Sequence, residues 1–62
     1  MTHGWFEAEL LDTWQASRIA LSNGSPSRYD RLQWTTSQFV KAHPEQPRKL
    51  VYLELDTLTR GY

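Results

Sequence analysis

Apolar residues recur every three or four positions in the first third of the chain, which is the spacing of an amphipathic helix. Acidic residues early in this segment and Arg18 late suit the helix dipole, and Asn23-Gly24 is typical of a helix end. We therefore predict a helix over about residues 5–22. Its inner face collects Phe6, Leu10, Trp14, Ser17 and Leu21, with Leu11 at the margin. A thinner strip formed by Trp5, Ala16 and Ile19 is either ordinary surface or a contact for another chain.

The second segment, about residues 28–42, has the same helical spacing. As one helix, it places Tyr29, Leu32, Thr36, Phe39, Val40 and His43 on its inner face. Trp34 then points outward. In the rival interpretation a new helix starts at Thr35, where Thr35 and Gln38 form a capping box and Trp34 packs against Phe39. We favour the continuous helix because four consecutive turns share one apolar face.

Proline and glycine bracket the third segment, about residues 47–60. Pro47 suits the first helical position and Gly61 the residue just past the end. The apolar stripe of this helix would be Val51, Leu55, Leu58 and Tyr62. A strand is the alternative, since apolar residues alternate over 51–55, but the punctuation favours a helix. The sequence thus predicts an all-α fold, a single small domain over residues 1–62 with three helices joined by short turns.

Length and composition exclude several classes of function. A chain of 62 residues makes one domain at most, and the lack of cysteine excludes disulfides, thiol nucleophiles and Cys-ligated zinc. No apolar run approaches the roughly 18 residues that span a bilayer, and the first residues have no signal-peptide character. We therefore expect a cytoplasmic protein without a membrane partner.

No group of residues points to catalysis. Ser25 lies in a turn sequence, and His3 and His43 are far apart without a helical partner. His3 is expected at a frayed terminus and His43 at a helix end, where it complements the dipole. Glu9 and Asp12 are typical of a solvated helix face. We predict a protein that is not an enzyme and has no metal, cofactor or small-molecule substrate.

The net charge of zero conceals a polarity along the chain. Residues 1–17 contain three acidic residues and no Lys or Arg, and carry −3. Residues 18–62 contain seven basic and four acidic residues, and carry +3. Such asymmetry is consistent either with an ordinary solvated surface or with a surface that neutralises nucleic-acid phosphates.

The stretch from Thr36 to Tyr62 resembles the helix-turn-helix of winged-helix transcription regulators. The likeness lies in a short helix, a tight turn and a longer helix that ends in spaced leucines and Gly-Tyr, here Leu55, Leu58, Gly61 and Tyr62. The resemblance implies that the third helix is a recognition helix with Arg48, Lys49, Tyr52, Leu53 and Asp56 on its outward face. Arg48 and Lys49 would then contact phosphates or guanine edges, and Tyr52 a backbone phosphate.

Two hypotheses about function follow. In the first, the chain is a small non-catalytic accessory or adaptor protein, of the phage- or operon-encoded kind. It would bind another protein, or itself as a homodimer, through Trp5, Ile19, Trp34 and Leu53. In the alternative, it is a helix-turn-helix module that binds double-stranded DNA in transcription regulation. Outward apolar groups at Leu53 and Trp34 favour the first, and a clear Arg/Lys face favours the second.

Overall fold

Three helices make up the part of the chain that the computed structural model describes, residues 4–22 and 24–60. They are α1 (Gly4–Ala20), α2 (Arg28–Ala42) and α3 (Arg48–Leu58), and these ranges contain no strand. The prediction of a small all-α three-helix domain is confirmed, and the strand alternative for the third segment is wrong. The expectations for His3, Asn23, Gly61 and Tyr62 lie outside the described residues.

The N-terminus of α2 is fixed by a capping box that the sequence analysis missed. The Ser27 Oγ accepts a hydrogen bond from the Asp30 N–H at 3.1 Å, and the Asp30 carboxylate accepts one from the Ser27 N–H at 3.3 Å. These side chains accept from two backbone N–H groups at the helix start, where the helix itself offers no acceptor. From there α2 runs unbroken to Ala42, so the rival helix start at Thr35 is wrong.

Helices α1 and α3 begin and end close to the predicted positions. α1 ends at Ala20, two residues before the predicted end, and Leu21 continues into a turn through a bond from its N–H to the Ser17 carbonyl. Gly24 lies four residues beyond the end of α1 and does not adopt a left-handed conformation, so it does not cap the helix. Pro47 is the N-cap of α3 rather than its first helical residue.

The core lies where the inner faces of the three helices meet. Its buried apolar residues are Leu10 and Trp14 from α1, Leu32 and Phe39 from α2, and Val51 and Leu55 from α3. All six belong to the predicted apolar faces. Tyr29 was also expected there but is 62% exposed, because Arg28 and Arg31 make the inward contacts at this end of α2. Trp34, expected to point outward, is partly buried.

The middle helix holds the domain together. α2 packs extensively along both α1 and α3, whereas α1 and α3 meet each other only sparsely. This arrangement leaves room for a groove between α1 and α3. Within the described residues, no helix combines the length and apolarity needed to cross a bilayer.

Candidate protein-binding groove

A groove runs between the first turn of α1 and the exposed face of α3. It encloses about 680 Å³. Its lining residues are Trp5, Phe6 and Glu7 from α1, Gln46 from the preceding turn, and Leu50, Leu53, Glu54 and Thr57 from α3. Three of its apolar side chains are largely open to solvent: Trp5 is 50% exposed, Leu50 61% and Leu53 50%.

The groove exists because α3 carries two apolar faces. Val51 and Leu55 point into the core, one turn apart, whereas Leu50 and Leu53 lie on a different face of the same helix. Leu50, Leu53 and Thr57 follow the spacing i, i+3, i+7, which lines up one helical face. Leu50 was missed in the sequence analysis, although this spacing was the signal that could have found it.

A chain of aromatic contacts anchors Trp5 at the rim of the groove. The Trp5 ring lies 5.6 Å from that of Phe6 and 5.4 Å from that of His43. The rings of Phe6 and His43 lie 5.0 Å and 4.8 Å, respectively, from the buried ring of Phe39. Trp5 is therefore joined to the core through two neighbours, and a partner would meet a positioned indole ring rather than a freely rotating one.

His43 occupies the end of α2, as expected, and its side chain also reaches across to α1. It is the C-cap residue, and its backbone N–H donates to the Phe39 carbonyl at 2.9 Å. Its ring Nε2 is hydrogen-bonded to the carboxylate of Glu9, and Nδ1 lies 3.8 Å from a carboxylate oxygen of Glu45. The contact with Glu9 fixes the end of α2 to α1 beside the groove.

The ionised side chains that line the groove are both acidic. Glu7 stands on the α1 side and Glu54 on the α3 side. No Lys or Arg of the described ranges contributes to the lining. The groove thus combines apolar walls with a negative rim.

The structure does not bring the four predicted interface residues together. Trp5 and Leu53 line the same groove, as one interface requires. Ile19 is 77% exposed but lies fourteen residues beyond Trp5 on α1, about 21 Å along the helix axis. Trp34 is partly buried on α2 and does not line the groove.

The residues predicted to contact nucleic acid lie on a neighbouring face of α3, which shares Leu53 with the groove. Arg48, Lys49, Tyr52 and Leu53 line a shallow depression together with Gln33. Arg48 and Lys49 are exposed, and Arg48 donates a hydrogen bond to the Ser37 hydroxyl at 2.9 Å. Tyr52 packs partly against the core instead of pointing fully outward.

Asp56, also expected to face outward, turns instead towards two arginines. Its carboxylate lies 2.9 Å from Arg28 and 2.9 Å from Arg60. The hydrogen bond from Arg28, with further help from Arg60, holds the pKa of Asp56 below its ordinary value despite partial desolvation. Arg28 also donates to the Asp56 carbonyl at 3.0 Å and to the Thr59 hydroxyl at 2.9 Å, so α2 is joined to the end of α3.

Potential metal ligands do not cluster in the structure. Within residues 4–22 and 24–60, no three His, Asp or Glu side chains lie close enough together to hold a metal ion. The groove lining offers carboxylates from Glu7 and Glu54 but no histidine. What the groove can do chemically is exclude water from apolar side chains and attract positive charge.

Comparisons of the chain with protein-family models, with curated proteins and with solved structures find no match. The resemblance of residues 36–62 to winged-helix regulators therefore stays a prediction from the sequence. The function proposed below depends on the groove and its charges.

Proposed function

We propose that this chain is a non-catalytic interaction module whose groove binds an amphipathic helical segment of a partner protein. The observation that carries the proposal is the gathering of Trp5, Leu50 and Leu53, each at least half exposed, in one groove. Exposed apolar side chains that are contiguous, unlike scattered ones, are characteristic of binding surfaces. A tryptophan held at the rim is a common anchor of binding energy.

The shape of the groove favours a helix as the occupant. Its lining follows α3 from Leu50 to Thr57, a distance of about 10 Å or two helical turns. A helix bound along this groove would contact both α1 and α3, which meet each other only sparsely. Helix-in-groove binding uses apolar anchors at positions i, i+3 or i+4, and i+7 of the bound segment.

The charge of the groove favours a cationic occupant. Glu7 and Glu54 flank the apolar lining, so a segment with Lys or Arg beside its apolar anchors is complementary to it. A second copy that docks through the same groove would bring two sets of these carboxylates together. For this reason we favour a different protein as the partner over the homodimer that was expected from the sequence.

Two synthetic helical peptides with one apolar pattern test this proposal, one with Lys and the other with Glu at the flanking positions. Each is titrated into the ¹⁵N-labelled full chain, and amide shifts are followed by NMR. We expect saturable shifts around Trp5, Leu50 and Leu53 with the Lys peptide and much weaker binding of the Glu peptide. Equal affinity for both peptides would overturn the charge assignment, and no binding of either would overturn the proposed function.

A matched pair of variants locates the binding surface. Leu50→Asp places a charge in the groove, whereas Ile19→Asp places the same charge at another exposed apolar position. We expect Leu50→Asp to weaken binding of the Lys peptide at least about tenfold, since it removes an apolar contact that the bound peptide would cover, and Ile19→Asp to leave binding unchanged. Equal effects of the two variants would show that the groove is not the binding site.

Double-stranded DNA is the second candidate ligand, in keeping with the winged-helix resemblance. The observation that favours it is the exposure of Arg48 and Lys49 at the start of α3, where a recognition helix would meet the duplex. The other contacts argue against DNA, because Arg28, Arg31 and Arg60 lie away from Arg48 and Lys49 and contact Asp56 or α1. We therefore rank DNA below a protein partner.

A further inference from the structure

Most of the basic residues lie at one end of the domain, away from the start of α3. Here α1 ends, α2 begins and α3 ends around a cavity of about 230 Å³. Its lining includes three arginines, Arg18, Arg28 and Arg31. Arg60 is not part of this lining, and it forms an ion pair with Asp56.

The acidic residues at this end leave two of the lining arginines without an ion pair. Asp56 is shared between Arg28 and Arg60, and Asp30 accepts from the backbone of Ser27. Within the described ranges, neither Arg18 nor Arg31 forms an ion pair with a carboxylate. The cavity therefore carries an excess of positive charge.

Arg31 is held in place by neutral groups. Its guanidinium carbon lies 3.9 Å from the centroid of the Trp14 ring. Its Nε donates to the Ser17 hydroxyl at 2.8 Å, and its Nη2 donates to the Trp14 carbonyl at 2.9 Å. Burial and, to a lesser extent, the charge of Arg18 lower the pKa of Arg31.

We propose that this cavity binds a phosphoryl dianion between the guanidinium groups of Arg18 and Arg31. A guanidinium presents planar pairs of N–H donors that match the oxygens of a phosphate, and charge-assisted hydrogen bonds of this kind are strong. The two arginines line one cavity from different helices, and the guanidinium group of Arg31 is already held over Trp14. A dianion also offsets the repulsion between the two arginines better than a monoanion does.

The test is a titration of the ¹⁵N-labelled chain with inorganic phosphate, and separately with acetate, at matched ionic strength. We expect saturable shifts of the Nε–H signals of Arg18 and Arg31 with phosphate and clearly weaker binding of acetate. Equal affinity for acetate would overturn the dianion assignment. Shifts that never saturate and extend equally to Lys41 and Lys49 would show non-specific association of anions with basic side chains and would also overturn it.

Variants at exposed residues complete the test without disturbing the fold. Arg18→Gln removes a lining cation, and Lys41→Gln removes one charge near the far end of α2. We expect Arg18→Gln to weaken phosphate about tenfold, the effect of one charge-assisted hydrogen bond, and Lys41→Gln to leave it unchanged. Unchanged phosphate binding in Arg18→Gln would refute the site. Because the cavity and the groove have no lining residue in common, either proposal can fail without the other.

Discussion

The guanidinium group of Arg31 lies over the indole ring of Trp14, with 3.9 Å between its central carbon and the ring centroid. This contact joins the first half of α2 to the middle of α1. One turn earlier on α2, Arg28 reaches in the other direction to Asp56 and Thr59 at the end of α3. Two arginines on one helix thus fasten both of its neighbours, at the end of the domain away from the aromatic contacts of His43.

Replacing Arg31 with lysine tests the first of these contacts. Lysine keeps the charge but loses the planar group that stacks on Trp14 and bonds Ser17. We expect the free energy of unfolding to fall by about 1–2 kcal/mol, as judged from cation–π and charged hydrogen-bond energies. Urea denaturation followed by circular dichroism measures the change. Arg18→Lys, at an exposed position, is the control, and an equal loss there would show that the stacking contributes nothing.

Because of Asp56, the stability of the folded chain varies with pH in the acid range. Its pKa is lower in the folded chain than in the unfolded chain, where about 3.9 is normal for aspartate. The resulting stabilisation is complete above the unfolded pKa and is lost as the pH falls through the lower folded value. Asp56→Asn should therefore be less stable than the parent near neutral pH, and the gap should close in strong acid. Denaturation curves across the acid range measure it, and a gap that does not vary with pH would contradict this role for Asp56.

Two threonines on α2 bring hydroxyl groups into the core. Thr35 and Thr36 are fully buried, and neither Oγ1 has a hydrogen-bond partner among the described residues. Replacing Thr36 with valine keeps the shape and removes the buried polar atom, so we expect stability to rise by about 1 kcal/mol. Thr59→Val is the matched control, because the buried Thr59 hydroxyl donates to the Leu55 carbonyl and accepts from Arg28. We expect the control to lose stability, and a loss in both variants would mean that Thr36 has an unseen partner.

The helices and most of the core could be predicted from the sequence because both depend on local spacing. Leu10, Leu32 and Leu55 each lie in a stripe of helical period, and such a stripe buries itself in almost any three-helix arrangement. Turn residues between the stripes then limit where each helix begins and ends. Even here Tyr29 was misplaced, because the end of a stripe need not reach the neighbouring helices.

The candidate sites were less predictable because they depend on which helices become neighbours. Trp5 and Leu53 were recognised as exposed apolar residues, but only the packing of α1 and α3 on α2 places them in one groove with Leu50. The contacts of long arginine side chains are even harder to predict from the sequence. The spacing of Arg28 and Arg31 fixes their positions on α2, whereas their partners come from helices distant in sequence.

One comparison tests the proposed function most directly: fluorescence anisotropy of the labelled Lys-flanked peptide and of a labelled random DNA duplex, each titrated with the full chain. The duplex is measured at about 50 mM and about 200 mM salt, since phosphate contacts make binding strongly salt-dependent. We expect saturable peptide binding that Leu50→Asp removes and Ile19→Asp preserves, with no duplex binding at either salt concentration. Duplex binding that weakens steeply with salt and is lost in Arg48→Gln, with no binding of the peptide, would contradict the proposal and establish the DNA-binding alternative.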